Sequence, residues 1–333
     1  RTLYFPHTII NEMTVTHASA ASPSSKSYTH CQMLLYILLL IVNAKAFTIT
    51  TTTTPIPKRF ISSLHRVSMS SSTPPPLGTM EEKYKALATR AIALQSKINK
   101  QIFIGIGGGP GSGKSTLSSN VCDMINTLTS NPQMAAVLPM DGYHIPRAQL
   151  EEMGNLGKNW NEEIYDTIGI DGVVPETKEG AKSYNDLMAR RGAPWTFDHK
   201  LLLQDFTQAK KTGMASLPIY SRAISDPVPD GVSFTPSTKI LLCEGNYLCA
   251  SNHFHWEPLQ KIWDATWYVY APDDIVLDRL INRHLQNWTG QKRALWGEGR
   301  EGAEKKVLAS DFKNAKWIEK NSKNYVDLVI DHY

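Results

Sequence analysis

The sequence predicts a three-layer α/β/α domain on a mainly parallel sheet, and two observations carry that expectation. A β-branched apolar run, QIFIGI (Gln101–Ile106), passes through a glycine-rich loop into an amphipathic segment, KSTLSSNVCDMINTLTS (Lys114–Ser130). Strand, loop and helix in that order make a βα unit. Two further apolar runs, AAVLPMDG (Ala135–Gly142) and ILLCEG (Ile240–Gly245), each end in an acid followed by glycine. That places a carboxylate at the carboxyl end of a buried strand, where open α/β sheets bind ligands. The expected strands are Ile102–Ile106, Ala136–Met140, Ile240–Cys243, Thr266–Tyr270 and Val326–Ile330, with helices on both faces.

The elements follow in chain order. Met33, the better initiator, precedes an apolar run, LLYILLLIV (Leu34–Val42), too short to span a bilayer but long enough for a signal-peptide core. Ala44 and Ala46 form an A-x-A cleavage pattern before Phe47, and Phe47–Met80 is rich in Ser and Thr and free of acids. This leader resembles the bipartite plastid-targeting presequence of algae with complex plastids, so the expected location is the plastid, with the secretory pathway as the alternative and no membrane association in the mature form. Residues 1–79 are therefore read as leader and linker, the latter proline-rich at STPPPLG (Ser72–Gly78), and residues 80–333 as the folded domain. Tyr84, Leu87, Ala91, Leu94 and Ile98 then recur at helical spacing over Met80–Lys100.

Charge narrows the function. Six bases (Arg1, Lys26, Lys45, Lys58, Arg59, Arg66) against Glu12 give the first 80 residues +5, so a formal net charge of +4 leaves the rest at −1. A near-neutral body offers no basic face for nucleic acid. The four cysteines, Cys31, Cys122, Cys243 and Cys249, show neither C-x-x-C nor a Cys/His cluster, which argues against a structural zinc site or a disulfide framework.

Gly108–Ser115 satisfies G-x-x-x-x-G-K-[ST], the P-loop pattern, and its strand–loop–helix context is the one that pattern requires. Gly108, Gly109, Gly111 and Gly113, interspersed with Pro110 and Ser112, let the backbone curl so that N–H groups point at an anion, and the helix N-terminus at Lys114, Ser115 and Thr116 adds its positive end. Lys114 reaches the β- and γ-phosphates, and the Ser115 hydroxyl is placed to ligate Mg²⁺. No N-K-x-D is present to read a guanine base, and DTIG (Asp166–Gly169) has no apolar strand leading into it, so a switch GTPase is disfavoured. Asp141 at a strand end is suited either to taking the proton from an acceptor hydroxyl or to holding Mg²⁺ through water; Glu244 repeats the design.

The ordered set GGPGSGKST, PMDGYH, RRGAPWTFD, PIYSRAISDP, CEGNY and RLINRH resembles the phosphoribulokinase/uridine kinase/pantothenate kinase superfamily of P-loop kinases, in particular its YFH7-like members, over about residues 100–333. The resemblance implies a P-loop NTPase fold with a helical lid. It implies Asp141 as the base, Glu244 as the Walker-B-like acid near magnesium, and Asp198, Tyr220 and Arg222 on the acceptor. Arg279 and Arg283 match the arginine-bearing lid; they are four apart, hence on one helical face, suited to neutralising the γ-phosphate. His144 and Arg191 join the acceptor-side candidates, with Arg190 and Arg191 as cations for a phosphorylated acceptor. The expected reaction is transfer of the γ-phosphoryl group of Mg-ATP to a hydroxyl of a small-molecule acceptor. The alternative is a nucleotide-dependent regulatory or chaperone-like ATPase, which has no need of acids at Asp141 and Asp198.

Overall fold

The computed structural model describes residues 78–155 and 190–333. Among them seven strands form: β1 (Ile102–Gly107), β2 (Ala135–Pro139), β3 (Ala215–Ser221), β4 (Asp226–Phe234), β5 (Ile240–Gly245), β6 (Ala265–Tyr270) and β7 (Leu328–Asp331). Five of them pair in parallel in the order β2-β5-β1-β6-β7. Every residue of β1 and β5 is buried, as expected of central strands covered on both faces, whose sequences run apolar throughout.

Helices supply the outer layers. On one face α1 (Met80–Ile98) and α2 (Lys114–Leu128) bury Leu87, Ala91, Leu94, Leu117, Val121 and Ile125 against Ile104 and Ile106. α3 (Arg147–Asn155) follows the β2 edge. On the other face α4 (His199–Thr212) packs Leu202 and Phe206 with Phe103, Leu241 and Tyr247. α5 (Asp273–Leu285), α6 (Gly290–Trp296), α7 (Gly299–Ala309) and α8 (Asp311–Ser322) complete the chain before β7. Val276, Leu280 and Ile281 of α5 join Ala303 and Val307 of α7 in a small core of their own, over the stretch where a lid was expected. No helix among the described residues is long and apolar enough to cross a membrane.

Local chemistry sets the element ends. Thr79 and Glu82 form a reciprocal capping box at the start of α1, and the helix stops at Asn99 in the left-handed region, φ 55°. β7 begins two residues later than the expected Val326 because the Asp327 side chain accepts from Thr266 N at 2.8 Å and from its hydroxyl at 2.9 Å. Residues 1–77, most of the expected leader and linker, and the stretch 156–189 lie outside the described residues.

The β3–β4 hairpin is an element that hydropathy did not announce. It is antiparallel, separate from the main sheet, and carries Pro218, Pro227 and Pro229, residues that cannot donate to a ladder and that make a segment read as irregular. Its place is nonetheless tightly set: a Cβ on Gly142 would stand 2.1 Å from the Pro218 carbonyl oxygen and 2.8 Å from Ile219 N. Gly142→Ala must push backbone from backbone, and a loss of about 1–3 kcal/mol is expected. Thermal unfolding would register it as a lowered Tm; an unchanged Tm would mean that the turn and the hairpin are not in contact.

The three described cysteines are buried and free. Burial pushes the Cys122 thiol up to about 11 and Cys249 to about 12. Little thiolate is available at neutral pH, so α2 carries no reactive redox handle at Cys122.

Candidate active site

The parallel register brings the functional ends of three strands to one edge. Ile106 and Pro139 are both partners of Glu244, so the loop after β1, the turn after β2 and the acid ending β5 emerge together. The loop turns at Gly111 and Gly113, with φ +79° and +90°, and Gly113 caps α2 without a side chain of its own. At Gly113 a side chain is excluded twice, by its positive φ and because a Cβ would lie 2.2 Å from His332 Nδ1.

Behind the loop, Arg279 Nη1 donates to Gly111 O (3.3 Å), Ser112 O (3.4 Å) and His332 O (3.0 Å). His332 in turn sets Nε2 3.1 Å from the Tyr84 hydroxyl on α1. A guanidinium bonded to two loop carbonyls and to the carbonyl of His332 ties the loop to the end of the chain. Burial, with Arg279 adding to it, lowers the His332 pKa from the ordinary 6.5. The folded state therefore disfavours the proton that the unfolded chain accepts, so stability falls as pH drops below 6.5. Thermal melts across pH should show that loss, and His332→Gln should flatten it; an unaltered slope would remove His332 from the linkage.

A metal-ready pair sits in front. Ser115 Oγ donates to Glu244 Oε1 at 3.1 Å, and Glu244 Oε2 is buried without a partner. Burial raises the Glu244 pKa, with the Lys114 charge opposing and Asp141 reinforcing the rise. An orphaned carboxylate oxygen beside a hydroxyl is a hard-oxygen donor set, which suits Mg²⁺. No group of three or more His, Cys, Asp and Glu gathers among the described residues.

The residues expected on the acceptor side begin at the 3₁₀ turn Met140–Tyr143. Asp141 is exposed there, and its carbonyl accepts from His144 N (3.3 Å) and lies 2.8 Å from His144 Nδ1, which must then carry the proton. The His144 ring lies 4.0 Å from Phe197 and 4.9 Å from Tyr220, centroid to centroid. Burial lowers its pKa, against the pull of Asp141, so it stands as a neutral imidazole in an aromatic corner.

No family model matches the chain. Among curated proteins, the candidate uridine kinase C227.14 of Schizosaccharomyces pombe is 30% identical over 240 residues, spanning 72% of this chain and 86% of that protein. The chain belongs to the phosphoribulokinase/uridine kinase/pantothenate kinase superfamily of P-loop kinases. An ATP-dependent kinase-like protein of Aspergillus versicolor is 32% identical over 55% of this chain and 88% of its own length. Of solved structures, YFH7 of Saccharomyces cerevisiae matches with a TM-score of 0.58 at 17% identity, over 77% of this chain and all (100%) of its own. A candidate fructose transport system kinase from Silicibacter sp. TM1040 matches at 0.56 and 24%, over 74% and 98%. These two likenesses bear on the fold: the P-loop kinase arrangement of parallel sheet and flanking helices.

Within this P-loop kinase, Lys114, Ser115, Glu244 and Asp141 share the sheet edge as expected, whereas several expected partners stand elsewhere. Arg279 is spent on the back of the loop and does not share a target with Arg283, which faces Asp311 at 3.8 Å and is half exposed. Arg191 is a fastener: it pairs with Asp226 at 2.7 Å and donates to Ser225 O and Ile145 O, tying the hairpin turn to the chain after His144. Asp226 neutralises its charge, which corrects its reading as a cation for the acceptor. Asp198 caps α4, accepting from Leu201 N at 2.9 Å. Tyr220 lies beneath the Arg191 guanidinium at 5.5 Å, and Arg222 stands in the exposed turn after β3. His332 and the buried Asn246, two residues past Glu244, were not expected: Asn246 lies inside the CEGNY motif but was given no role, and His332 follows the end of the last strand in no motif.

Proposed function

We propose that this chain transfers the γ-phosphoryl group of Mg-ATP to a hydroxyl of a small metabolite. The observation that carries the reading is the Ser115–Glu244 pair with its orphaned buried oxygen, on the same sheet edge as an exposed Asp141. Lys114 and the loop N–H groups hold the phosphates, and Ser115 and Glu244 hold Mg²⁺, which when bound would neutralise charge on the β- and γ-oxygens. Asp141, solvent-facing on a turn fixed by Gly142, orients the acceptor hydroxyl and takes its proton. His144, Phe197 and Tyr220 give the acceptor an aromatic wall.

Relatives are named for uridine and pantothenate; nucleosides, pantothenate, sugars, sugar phosphates and glycerate are therefore the classes to try. The test is ADP release by the full chain with Mg-ATP across that panel, with Lys114→Ala as the blank. One acceptor should raise the rate well above the background. A slow, Lys114-dependent hydrolysis that no acceptor accelerates would favour a regulatory ATPase.

A further inference from the structure

We propose that Asn246 is a further residue of the magnesium site: its side-chain oxygen takes a hydrogen bond from a water on the ion that Ser115 and Glu244 hold. This rests on the metal and nucleotide part of the function proposed above. Asn246 is 9% exposed, and its Oδ1 is buried without a partner. Leaving a buried acceptor unmet destabilises a fold, and such a group in a native protein marks a water, an ion or a functional contact.

Position selects among these. β5 lies between β2 and β1, and its last residue, Gly245, stands level with Gly107, the residue before the first glycine of the phosphate loop. On the other side Glu244 stands level with Pro139, two residues before Asp141. Asn246, two residues past Glu244, therefore leaves the sheet between the root of the loop and the Asp141 turn. Alternation along the strand gives its face. Ile240 and Leu242 pack into the core beneath α1 and α2, and Glu244 follows on that side, reaching Ser115 of α2. Leu241, Cys243 and Tyr247 pack into the opposite core. Tyr247 keeps the odd-numbered face past the end of the strand, so Asn246 falls on the face of Glu244.

Two buried oxygens without donors then stand on one face at one edge, Glu244 Oε2 and Asn246 Oδ1. An ionised carboxylate and an amide carbonyl cannot satisfy one another. A hydrated cation satisfies both, the carboxylate by charge and the carbonyl through a water's hydrogen, and magnesium keeps several waters in protein sites. Gln101 Oε1 is also orphaned, but its amide nitrogen bonds to the carbonyls of Gly213, Thr235 and Thr238, a structural tie at the amino end of β1.

Metal-dependent nucleotide affinity reads the proposal without turnover. Isothermal titration of the full chain with a non-hydrolysable ATP analogue, in Mg²⁺ and in EDTA, gives the gain in affinity due to the ion. Asn246→Leu, which removes both polar atoms at similar volume, should cut that gain by roughly 10–100-fold, the scale for losing a group that supports a metal's ligands, while affinity in EDTA stays within a few-fold of the parent. Its nucleotide-free Tm should hold or rise, because an orphaned acceptor is gone. Asn246→Asp, which keeps the oxygen, should retain the gain, and Asn246→Ala carries the comparison if the leucine variant does not melt cooperatively. A lowered Tm with the gain intact would mean that Asn246 is structural and would overturn the proposal. Equal loss of the gain in the aspartate and leucine variants would overturn it too, placing the contact on the amide N–H. A parent that binds the analogue equally in Mg²⁺ and in EDTA, or not at all, would sink this inference together with the metal part of the kinase reading. A parent that shows the Asn246-dependent gain but passes phosphate to no acceptor would lose the kinase reading and keep this inference.

Discussion

Replacing Lys114 with alanine is expected to lower ADP formation from Mg-ATP by roughly 10²–10³-fold, the scale for removing one preorganised donor from developing charge. Lys114 opens α2 directly after the Gly113 cap, so on the proposed function the turn that presents the loop N–H groups would also deliver its ammonium to the phosphates. It also acts on the metal pair: its charge opposes the burial that raises the Glu244 pKa. Without it Glu244 is more readily protonated, so the variant should also need more Mg²⁺ than the parent at a given pH. Steady-state turnover at several Mg²⁺ concentrations checks both effects. A variant that keeps the parental rate would mean that phosphate is held elsewhere.

Asp141→Asn is expected to cut phosphoryl transfer by about 10²–10⁴-fold, the range for general acid–base groups, while Mg-ATP affinity changes little. The separation follows from geometry. The Asp141 carboxylate is exposed, and the turn is held by its backbone: the carbonyl engages His144, and Gly142 rests against Pro218. Asparagine keeps the shape and the turn but cannot take a proton. Turnover with the best acceptor, set beside nucleotide titration, reads the two quantities independently. Loss of both together would mark Asp141 as a structural or nucleotide-binding residue, and loss of neither would fit a binding module.

What could be read from the chain, and what could not, divides along a physical line. Apolar strands and a glycine loop are local signals: β1, the loop and α2 follow from hydropathy and from the backbone freedom at Gly111 and Gly113. The convergence of Asp141 and Glu244 followed because both end parallel strands that start at one level. Partner choice is not local. Helical spacing put Arg279 and Arg283 on one face, but only packing shows that one reaches the Gly111 carbonyl and the other Asp311. Arg190 and Arg191 are adjacent and chemically identical, yet one turns to α8 and the other to the hairpin. The hairpin itself was hidden by its prolines, and His332 by the absence of any motif near it.

On the proposed function, phosphate leaves ATP for a metabolite hydroxyl and not for water. It is tested most directly by following γ-labelled phosphate from Mg-ATP, with the acceptor that most accelerates ADP release. Label is expected on the acceptor, equimolar with ADP, and abolished in the Lys114→Ala variant. Label recovered wholly as inorganic phosphate, from a protein that binds Mg-ATP and turns it over, would contradict it.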